Sequence, residues 1–329
     1  MEAAFVCAAL AAAVLCAWLT PRWRLRRVLA RPLTAAQLGI IERNVDQYRG
    51  MAPDLRAQLQ RLVKQFLHQK TFVGCAGLEV TEEMRVTIAA QACLLLLNRP
   101  SRVYPGLHTV LVYPGAFLVP RREQDAAGVV TETRQDLLGE SWGDGRVVLS
   151  WEHVRRAGLA AEGTHNVVLH EFAHQLDSES GSNNGAPFLG NPERYRSWSE
   201  TLSRDFALLR RDAYWGQRDV LDPYGATNPA EFFAVATESF FEQPHELAAR
   251  HPELYAEFQS YYSVDPRDWF AAPAPAPEHY GMVYGQWREH GLRALAYRDS
   301  AGREASWPLL TMQEVIHVHD HCRALPAAG

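Results

Sequence analysis

The most constraining feature of the sequence is one short segment, residues 167–176, which reads Val-Val-Leu-His-Glu-Phe-Ala-His-Gln-Leu. Its histidines, His170 and His174, are four residues apart, so on a helix their side chains lie on one face, one turn apart. That spacing lets two imidazoles bind a single Zn²⁺. Glu171 lies between them, beside the expected ion and available to accept a proton. The segment therefore predicts a helix that carries a zinc site.

The flanking residues distinguish this interpretation from a chance pair of core histidines. Between Val167 and Leu176 the only charged residue is Glu171, and most of the others are apolar. A helix that is apolar on all sides is buried, and a buried carboxylate without a partner is costly. A bound metal gives these polar residues a reason to be there. The pattern H-E-x-x-H is typical of zinc peptidases.

Composition limits the class of protein. With 329 residues, the chain is long enough for one large domain or two smaller ones. Its 47% hydrophobic and 22% charged residues are typical of a globular protein, and its net charge of −5 favours no direct binding of nucleic acid. The five cysteines are scattered and form no C-x-x-C pair, which indicates a reducing compartment.

The N-terminus departs from this globular pattern. Residues 3–19 carry no charge, and five arginines follow between positions 22 and 31. The run is at the short end of a membrane span. Because the arginines follow it, the positive-inside rule places the rest of the chain on the cytoplasmic side of the inner membrane. We expect residues 1–32 to form this anchor and its basic stretch; the alternative is a peripheral helix on a soluble cytoplasmic protein.

Hydrophobic periodicity predicts a mainly helical chain. Apolar residues at helical spacing indicate helices over 53–69, 81–98, 164–178, 192–211, 229–242 and 244–262. Two apolar runs next to turn residues, 109–113 and 145–151, read as strands instead. We therefore expect an α+β fold with a small β-sheet in one domain over 33–271. The alternating Pro and Ala that follow indicate a stiff linker, so 272–329 form this linker and a small C-terminal extension.

The predicted zinc site lacks a ligand. A catalytic zinc takes three protein ligands and leaves one position for water, and no third histidine follows the pair closely. Glu231 and Glu238 are the candidates, because they are seven residues apart and share a face of a predicted helix. Glu231 also suits a capping role three residues after Asn228. Spacing alone leaves both carboxylates open.

Two segments resemble the Mlc titration factor A (MtfA) family of bacterial zinc peptidases. They are His170-Glu-Phe-Ala-His174-Gln-Leu-Asp177 and Tyr224-Gly-Ala-Thr-Asn-Pro-Ala-Glu231-Phe-Phe-Ala. The same segments are similar to the catalytic domain of anthrax lethal factor. The likeness extends over roughly residues 50–270, outside the two termini.

This resemblance implies a fold and a site. The fold is a mainly helical zincin, of the gluzincin type, with a small sheet. Glu231 is then the third zinc ligand beside His170 and His174. Tyr224 assists catalysis near the metal, and Glu238 supports the site from behind.

The resemblance also implies an activity. Family members cleave small amino-acid derivatives, so we expect a zinc-dependent peptidase, an aminopeptidase, with a peptide as substrate. In that mechanism Glu171 takes a proton from zinc-bound water as general base, and the Tyr224 hydroxyl helps to stabilise the oxyanion. An extended peptide would pair with the strand near 145–151. The alternative function is regulatory binding, because the namesake protein sequesters the transcriptional repressor Mlc.

Two further features stay open. Asp177, almost one turn beyond His174, either orients a ligand histidine through its second ring nitrogen or is an exposed residue near the helix end. The tail carries His317, His319 and His321. We expect a solvated or weakly metal-binding helical segment there rather than a second metal site.

Overall fold

The chain divides into two compact units, Met1–Ala272 and Pro273–Gly329. The computed structural model describes residues 20, 22–100, 102–124, 130–137, 139–142, 145–156, 165–271, 294–298 and 304–308. Among these residues, no helix combines the length and the apolar character that a membrane crossing needs. Residues 3–19 and the three histidines of the tail lie outside the described residues. The anchor, the localisation, the three-part domain division and the tail assignment therefore stay predictions.

A small sheet lies in the first unit. The strands of this unit are β1 (Thr71–Gly74), β2 (Thr109–Tyr113), β3 (Phe117–Gln124), β4 (Val130–Leu137), β5 (Gly139–Trp142) and β6 (Arg146–Ser150). The sheet order is β1-β2-β6-β5, in which β1, β2 and β6 are parallel and β5 is an antiparallel edge strand. β3 and β4 form a separate antiparallel hairpin. Parallel pairing places the central strands in the core, where Val110 and Val147 are completely buried.

Helices make up most of the rest of this unit. They are α1 (22–30), α2 (Ala35–Asn44), α3 (Asp46–Gly50), α4 (Pro53–Gln69), α5 (Glu82–Leu94), α6 (Trp151–Arg156), α7 (Val167–Asp177), α8 (Pro192–Tyr214), α9 (Pro229–Glu242), α10 (Pro244–Arg250) and α11 (Pro252–Tyr262). The fold is therefore α+β and mainly helical, as predicted. The second unit, taken by itself, contains the antiparallel hairpin of β7 (Ala294–Arg298) and β8 (Glu304–Pro308).

The core is built around α5, α7 and α9. Helix α5 is buried along its whole length from Val86 to Leu94, and α7 packs against both α5 and α9. Phe172 of α7 contacts two other aromatic rings, with centroid distances of 4.7 Å to Tyr104 and 5.6 Å to Phe66. Burying such rings is a large part of what stabilises a core. Helix α7 is thus fixed from behind by apolar packing.

Asparagine caps fix where α7 and α9 begin. The Asn166 side chain accepts a hydrogen bond from the backbone N–H of Leu169 at 3.1 Å, and Asn228 accepts one from the N–H of Glu231 at 3.0 Å. Pro229 occupies the first turn of α9, where it loses no hydrogen bond. Glu231 is therefore held in the first turn of α9, as the sequence predicted.

Some predicted boundaries were wrong. The helix expected over 244–262 is two helices, because Pro252 cannot continue a helix and holds His251 out of the helical region, at φ −129° and ψ 62°. The strand expected over 145–151 ends at Ser150, and Trp151 begins α6. Strands β1 and β5 were missed because four residues are too few to show a period.

The break between α10 and α11 contains a buried charge cluster. The imidazole of His251 lies between two carboxylates, with Nδ1 2.7 Å from Asp205 Oδ1 and Nε2 3.0 Å from Asp219 Oδ2. Burial lowers the pKa of His251, but the hydrogen bonds and charges of Asp205 and Asp219 outweigh it, so the pKa lies above 6.5. Both ring nitrogens can donate only in the imidazolium form. The protonated histidine therefore ties α8 to the start of α11.

We expect His251→Gln to lower the free energy of unfolding by about 1–3 kcal/mol at pH 6. Because the folded pKa is raised, the stabilisation is complete at low pH and is lost as the pH rises through that pKa. The difference between wild type and variant should therefore shrink toward pH 9, which urea unfolding across this range would show. His68→Gln, an exposed histidine, is the control. A difference that grows with pH would contradict the assignment of an imidazolium.

Candidate metal centre

The three side chains predicted to bind zinc, those of His170, His174 and Glu231, lie close together in the first unit. The distance from His170 Nε2 to Glu231 Oε2 is 2.9 Å, and that from His174 Nε2 to the same oxygen is 3.4 Å. The two Nε2 atoms are 3.3 Å apart. One donor atom from each residue thus lies within 4.8 Å of the others. Two imidazole nitrogens and a carboxylate oxygen are the donor set of catalytic zinc sites, so these residues fit a zinc ion.

Two helices supply these donors. His170 and His174 lie one turn apart on α7, and Glu231 lies in the first turn of α9, which packs against α7. His174 is buried, while His170 and Glu231 are partly exposed. The cluster is therefore held by the core on one side and reachable from solvent on the other.

Electrostatics favour an ionised carboxylate in this cluster. Burial raises the pKa of Glu231, but hydrogen bonds from His170 and His174 outweigh burial and hold that pKa well below its usual range. Burial lowers the pKa of His170, whereas Glu231 and Glu238 raise it well above its usual value. An ionised carboxylate and two imidazoles suit a divalent cation, whose binding would displace the proton from the coordinating nitrogen of His170.

Glu238 lies behind His170 instead of among the donor atoms. Its Oε1 is 2.7 Å from His170 Nδ1, and its Oε2 accepts a hydrogen bond from the backbone N–H of Asn166 at 2.7 Å. The carboxylate therefore fixes the ring of His170 so that Nε2 faces Glu231. A carboxylate on the far nitrogen is the usual partner of a metal-binding histidine. The structure thus gives different positions to the two carboxylates that spacing alone left open.

The other two predicted site residues lie close by. Glu171 is buried between the histidines on α7, and its charge raises the pKa of His170. Tyr224 lies in a 3-10 turn, Pro223–Ala226, with its ring centroid 6.0 Å from that of His170. Its side chain is 44% exposed, so it lies where a molecule from solvent can reach both the tyrosine and the histidines.

Sequence reasoning missed one pair of residues at this site. His165 Nε2 is 3.0 Å from Asp222 Oδ2, while Asp222 Oδ1 accepts a hydrogen bond from the backbone N–H of Tyr224 at 2.7 Å. The Asp222 hydrogen bond raises the pKa of His165. This pair connects the start of α7 to the turn that carries Tyr224. The sequence offered one signal for this pair, its position beside recognised elements. His165 comes directly before the residue that caps α7, and Asp222 comes directly before the turn that carries Tyr224.

Comparison with known proteins gives the family. The model of the glucose-regulated metallo-peptidase M90 family matches residues 20–263. The chain belongs to the M90 metallopeptidase family. It is 40% identical over 245 residues to the uncharacterized protein slr2042 of Synechocystis, covering 74% of this chain and 89% of that protein. It is also 35% identical over 219 residues to Mlc titration factor A of Klebsiella pneumoniae, covering 66% and 82%.

A third relative agrees with these two. Mlc titration factor A of Pectobacterium atrosepticum is 36% identical over 213 residues, covering 64% of this chain and 79% of that protein. The predicted MtfA resemblance is therefore confirmed. Membership of a metallopeptidase family also implies that the chain binds a metal, and the His-His-Glu cluster is the group of described residues suited to one.

The sequence left two roles open for Asp177 of this M90 chain, orienting a ligand histidine or lying exposed at the helix end, and the structure shows neither. It is completely buried, so an exposed position is wrong. Its Oδ2 accepts a hydrogen bond from the N–H of Gly185 at 2.6 Å, and no hydrogen bond joins its Oδ1 to His174 Nδ1 among the described residues. Gly185 has φ +78°, and a Cβ added there would lie 2.3 Å from the carbonyl oxygen of Pro229. Asp177 therefore fixes the loop that passes beneath the start of α9.

A third carboxylate of α9 also reaches α7. Glu242 Oε1 accepts a hydrogen bond from Asn166 Nδ2 at 2.7 Å, on the residue that caps α7. Burial raises the pKa of Glu242 to about 7, against the opposing effect of hydrogen bonds from Asn166 and Gln47. The Glu242 carboxyl group therefore keeps its proton to a higher pH than an exposed glutamate does. Its ionisation at higher pH places a charge beside Glu238.

We expect Glu242→Gln to make this M90 protein more stable than wild type above pH 8. The folded pKa is raised, so the contribution of Glu242 is fully present at low pH and is lost as pH rises through about 7. A neutral glutamine avoids that loss, a gain on the order of 2 kcal/mol in the free energy of unfolding. Urea unfolding at pH 6 and pH 8.5, at equal metal loading, checks this against the exposed Glu200→Gln. Equal pH dependence in wild type and Glu242→Gln would contradict it.

Proposed function

We propose that this M90 chain is a zinc-dependent peptidase with a zincin fold of the gluzincin type. His170, His174 and Glu231 hold the ion in this proposal. The observation that carries it is the convergence of these three donor atoms within 4.8 Å, in a chain whose family is one of metallopeptidases. Zinc bound there would supply a water of lowered pKa and polarise the carbonyl group of a peptide.

The residues around the cluster suit peptide hydrolysis. Glu171 follows His170 directly on α7, so its carboxylate is the general base that takes a proton from water and passes it to the leaving amine. The Tyr224 hydroxyl would donate its hydrogen to the oxyanion, a role supported by the 6.0 Å between the ring centroids of Tyr224 and His170. The pairing of Asp222 with His165 holds the turn that carries Tyr224.

An extended peptide would bind along β5 instead of the strand near 145–151. That strand, β6, is paired on both sides, with β2 and with β5, and has no free edge for another strand. Strand β5 pairs only with β6 among the described strands, and it packs against α7. Its outer edge therefore offers backbone hydrogen bonds beside the helix that carries the histidines. If the protein is an aminopeptidase, as expected from the sequence, the N-terminal residue of the substrate would bind next to the metal cluster.

A second candidate function comes from the relatives. Two of them are named Mlc titration factor A, which favours a role in binding a repressor of the Mlc type. Such binding needs the surface of the protein but no proton transfer. The two functions therefore respond differently when Glu171 alone is changed.

Glu171→Gln should lower peptidase turnover by about 10²–10⁴-fold. The glutamine keeps the shape of the side chain but cannot take a proton, and the metal donors are unchanged. Zinc content, measured by mass spectrometry of the purified protein, should equal that of wild type. Cleavage of an amino-acid amide library gives the rate, with Glu200→Gln as control. Wild-type turnover in Glu171→Gln would remove the proposed base, and repressor binding that persists in this variant would support the second function.

Glu231→Ala should bind zinc far more weakly than Glu238→Ala. The first change removes a proposed ligand, whereas the second removes a hydrogen bond to a ligand, which typically costs about 10–100-fold in metal affinity. Competition with a coloured zinc chelator measures both affinities, and Glu193→Ala, an exposed glutamate, is the control. The choice of Glu231 is wrong if Glu238→Ala loses zinc and Glu231→Ala retains it.

A further inference from the structure

A cleft of about 730 Å³ opens at the far end of α7. It is formed by the segment after α5, the turn after α7, the loop before α8 and the end of α11. Its lining includes Arg99, Arg102, Gln175, Glu179, Phe188 and Arg194. Clefts of this volume suit small organic ligands.

Three guanidinium groups line this cleft, and none of them forms an ion pair with a carboxylate of the described residues. Within the part of the chain that the structure describes, the Arg194 side chain donates to two neutral acceptors, the carbonyl oxygen of Leu189 at 3.4 Å and the Ser260 hydroxyl at 3.1 Å. Arg102 is exposed and forms no ion pair within the described part of the chain. Arg99 is partly buried, and its Nη1 has no hydrogen-bond acceptor among the described residues. A guanidinium N–H that has no protein acceptor remains available to donate to an oxygen atom of a bound anion.

The walls of the cleft are held in place. Lys70 donates from Nζ to the carbonyl oxygens of Tyr104 at 2.6 Å and Leu107 at 2.7 Å, which fixes the segment that carries Arg102. The guanidinium of Arg99 stacks 4.2 Å from the ring centroid of Tyr261. These contacts hold Tyr104, Leu107 and the Arg99 side chain in place, which reduces the ordering that a ligand would have to impose on binding.

The lining of the cleft also includes an acidic side chain, Glu179, and an exposed phenyl ring, Phe188. Glu179 is the carboxylate in the lining; partial desolvation by the cleft raises its pKa, which the charge of Arg99 opposes. Three guanidiniums against one carboxylate leave the cleft positive. Phe188 is 65% exposed, an unusual position for a phenyl ring. A ligand that matches both features has an anionic end and an apolar part.

We propose that this cleft binds a small organic anion, whose phosphate or carboxylate group accepts hydrogen bonds from Arg99, Arg102 and Arg194 while its apolar part covers Phe188. Guanidinium groups suit both oxyanions because they donate paired hydrogen bonds. The site is separate from the metal cluster. Its lining contains none of His170, His174 and Glu231, and neither Glu171 nor Tyr224. The inference therefore does not depend on the proposed peptidase function.

The test is calorimetric titration of the full chain at low salt with phenyl phosphate and, separately, with phenylacetate. We expect saturable binding of at least one of them, weakened about tenfold by Arg102→Gln or by Arg194→Gln, because each removes a charge-assisted hydrogen bond. Arg196→Gln is the matched control, since Arg196 is an exposed arginine of α8 outside the cleft. Its affinity should equal that of wild type. A preference for one probe decides between a phosphate and a carboxylate ligand.

Removing a negative charge from the cleft tests whether its positive charge attracts the ligand. Glu179→Gln removes the negative charge of the cleft, so it should tighten binding by about two- to fivefold. Arg102 and Glu179 are both exposed, so neither change endangers the fold. Absence of binding of both probes would overturn the proposal. So would binding that is unchanged in Arg102→Gln and Arg194→Gln, since it would place the probe elsewhere, for instance on the metal.

Discussion

The contact between α7 and α9 is the interaction on which the rest of the site depends. Three carboxylates of α9, at positions 231, 238 and 242, share one face of that helix and all reach α7 or its cap. The first lies among the donor nitrogens, the second holds the ring of His170, and the third binds the cap. Metal binding and helix packing therefore rely on the same two surfaces. Apolar packing of α7 against α5 supplies the opposing support.

Features that depend on residues close together in the sequence were predictable, whereas features that depend on distant residues were not. The helix with the histidines and the capped start of α9 were both predictable, because they depend on residues within four positions of one another. The choice between Glu231 and Glu238 was not, because both lie on one face and only the packing angle of α7 decides which oxygen meets Nε2. The resemblance to MtfA proteins supplied that choice. That choice rested on similarity to other proteins and not on the relative positions of the side chains in this one.

Contacts between residues far apart in the sequence were not predicted, for the same reason. The pairing of His165 with Asp222 joins residues 57 positions apart, and neither belongs to a periodic pattern. Strand β5 is too short for its period to show, yet it forms the edge of the sheet beside α7. The arginines of the cleft come from separate segments, around 99–102 and at 194, so no local motif contains them. Tertiary packing alone makes them neighbours.

Gly185 shows how the donor geometry depends on a residue that has no side chain. Its N–H binds Asp177 at the end of α7, and its Cα faces the carbonyl of Pro229, two residues before Glu231. A methyl group at this position would lie 2.3 Å from the carbonyl oxygen of Pro229, so either the loop or the first turn of α9 would have to move. Alanine scanning finds functional positions by deleting atoms, and it passes over a native glycine unless an atom is added there. The relative position of the two helices that carry the candidate donor atoms therefore depends on a residue that such a scan does not probe.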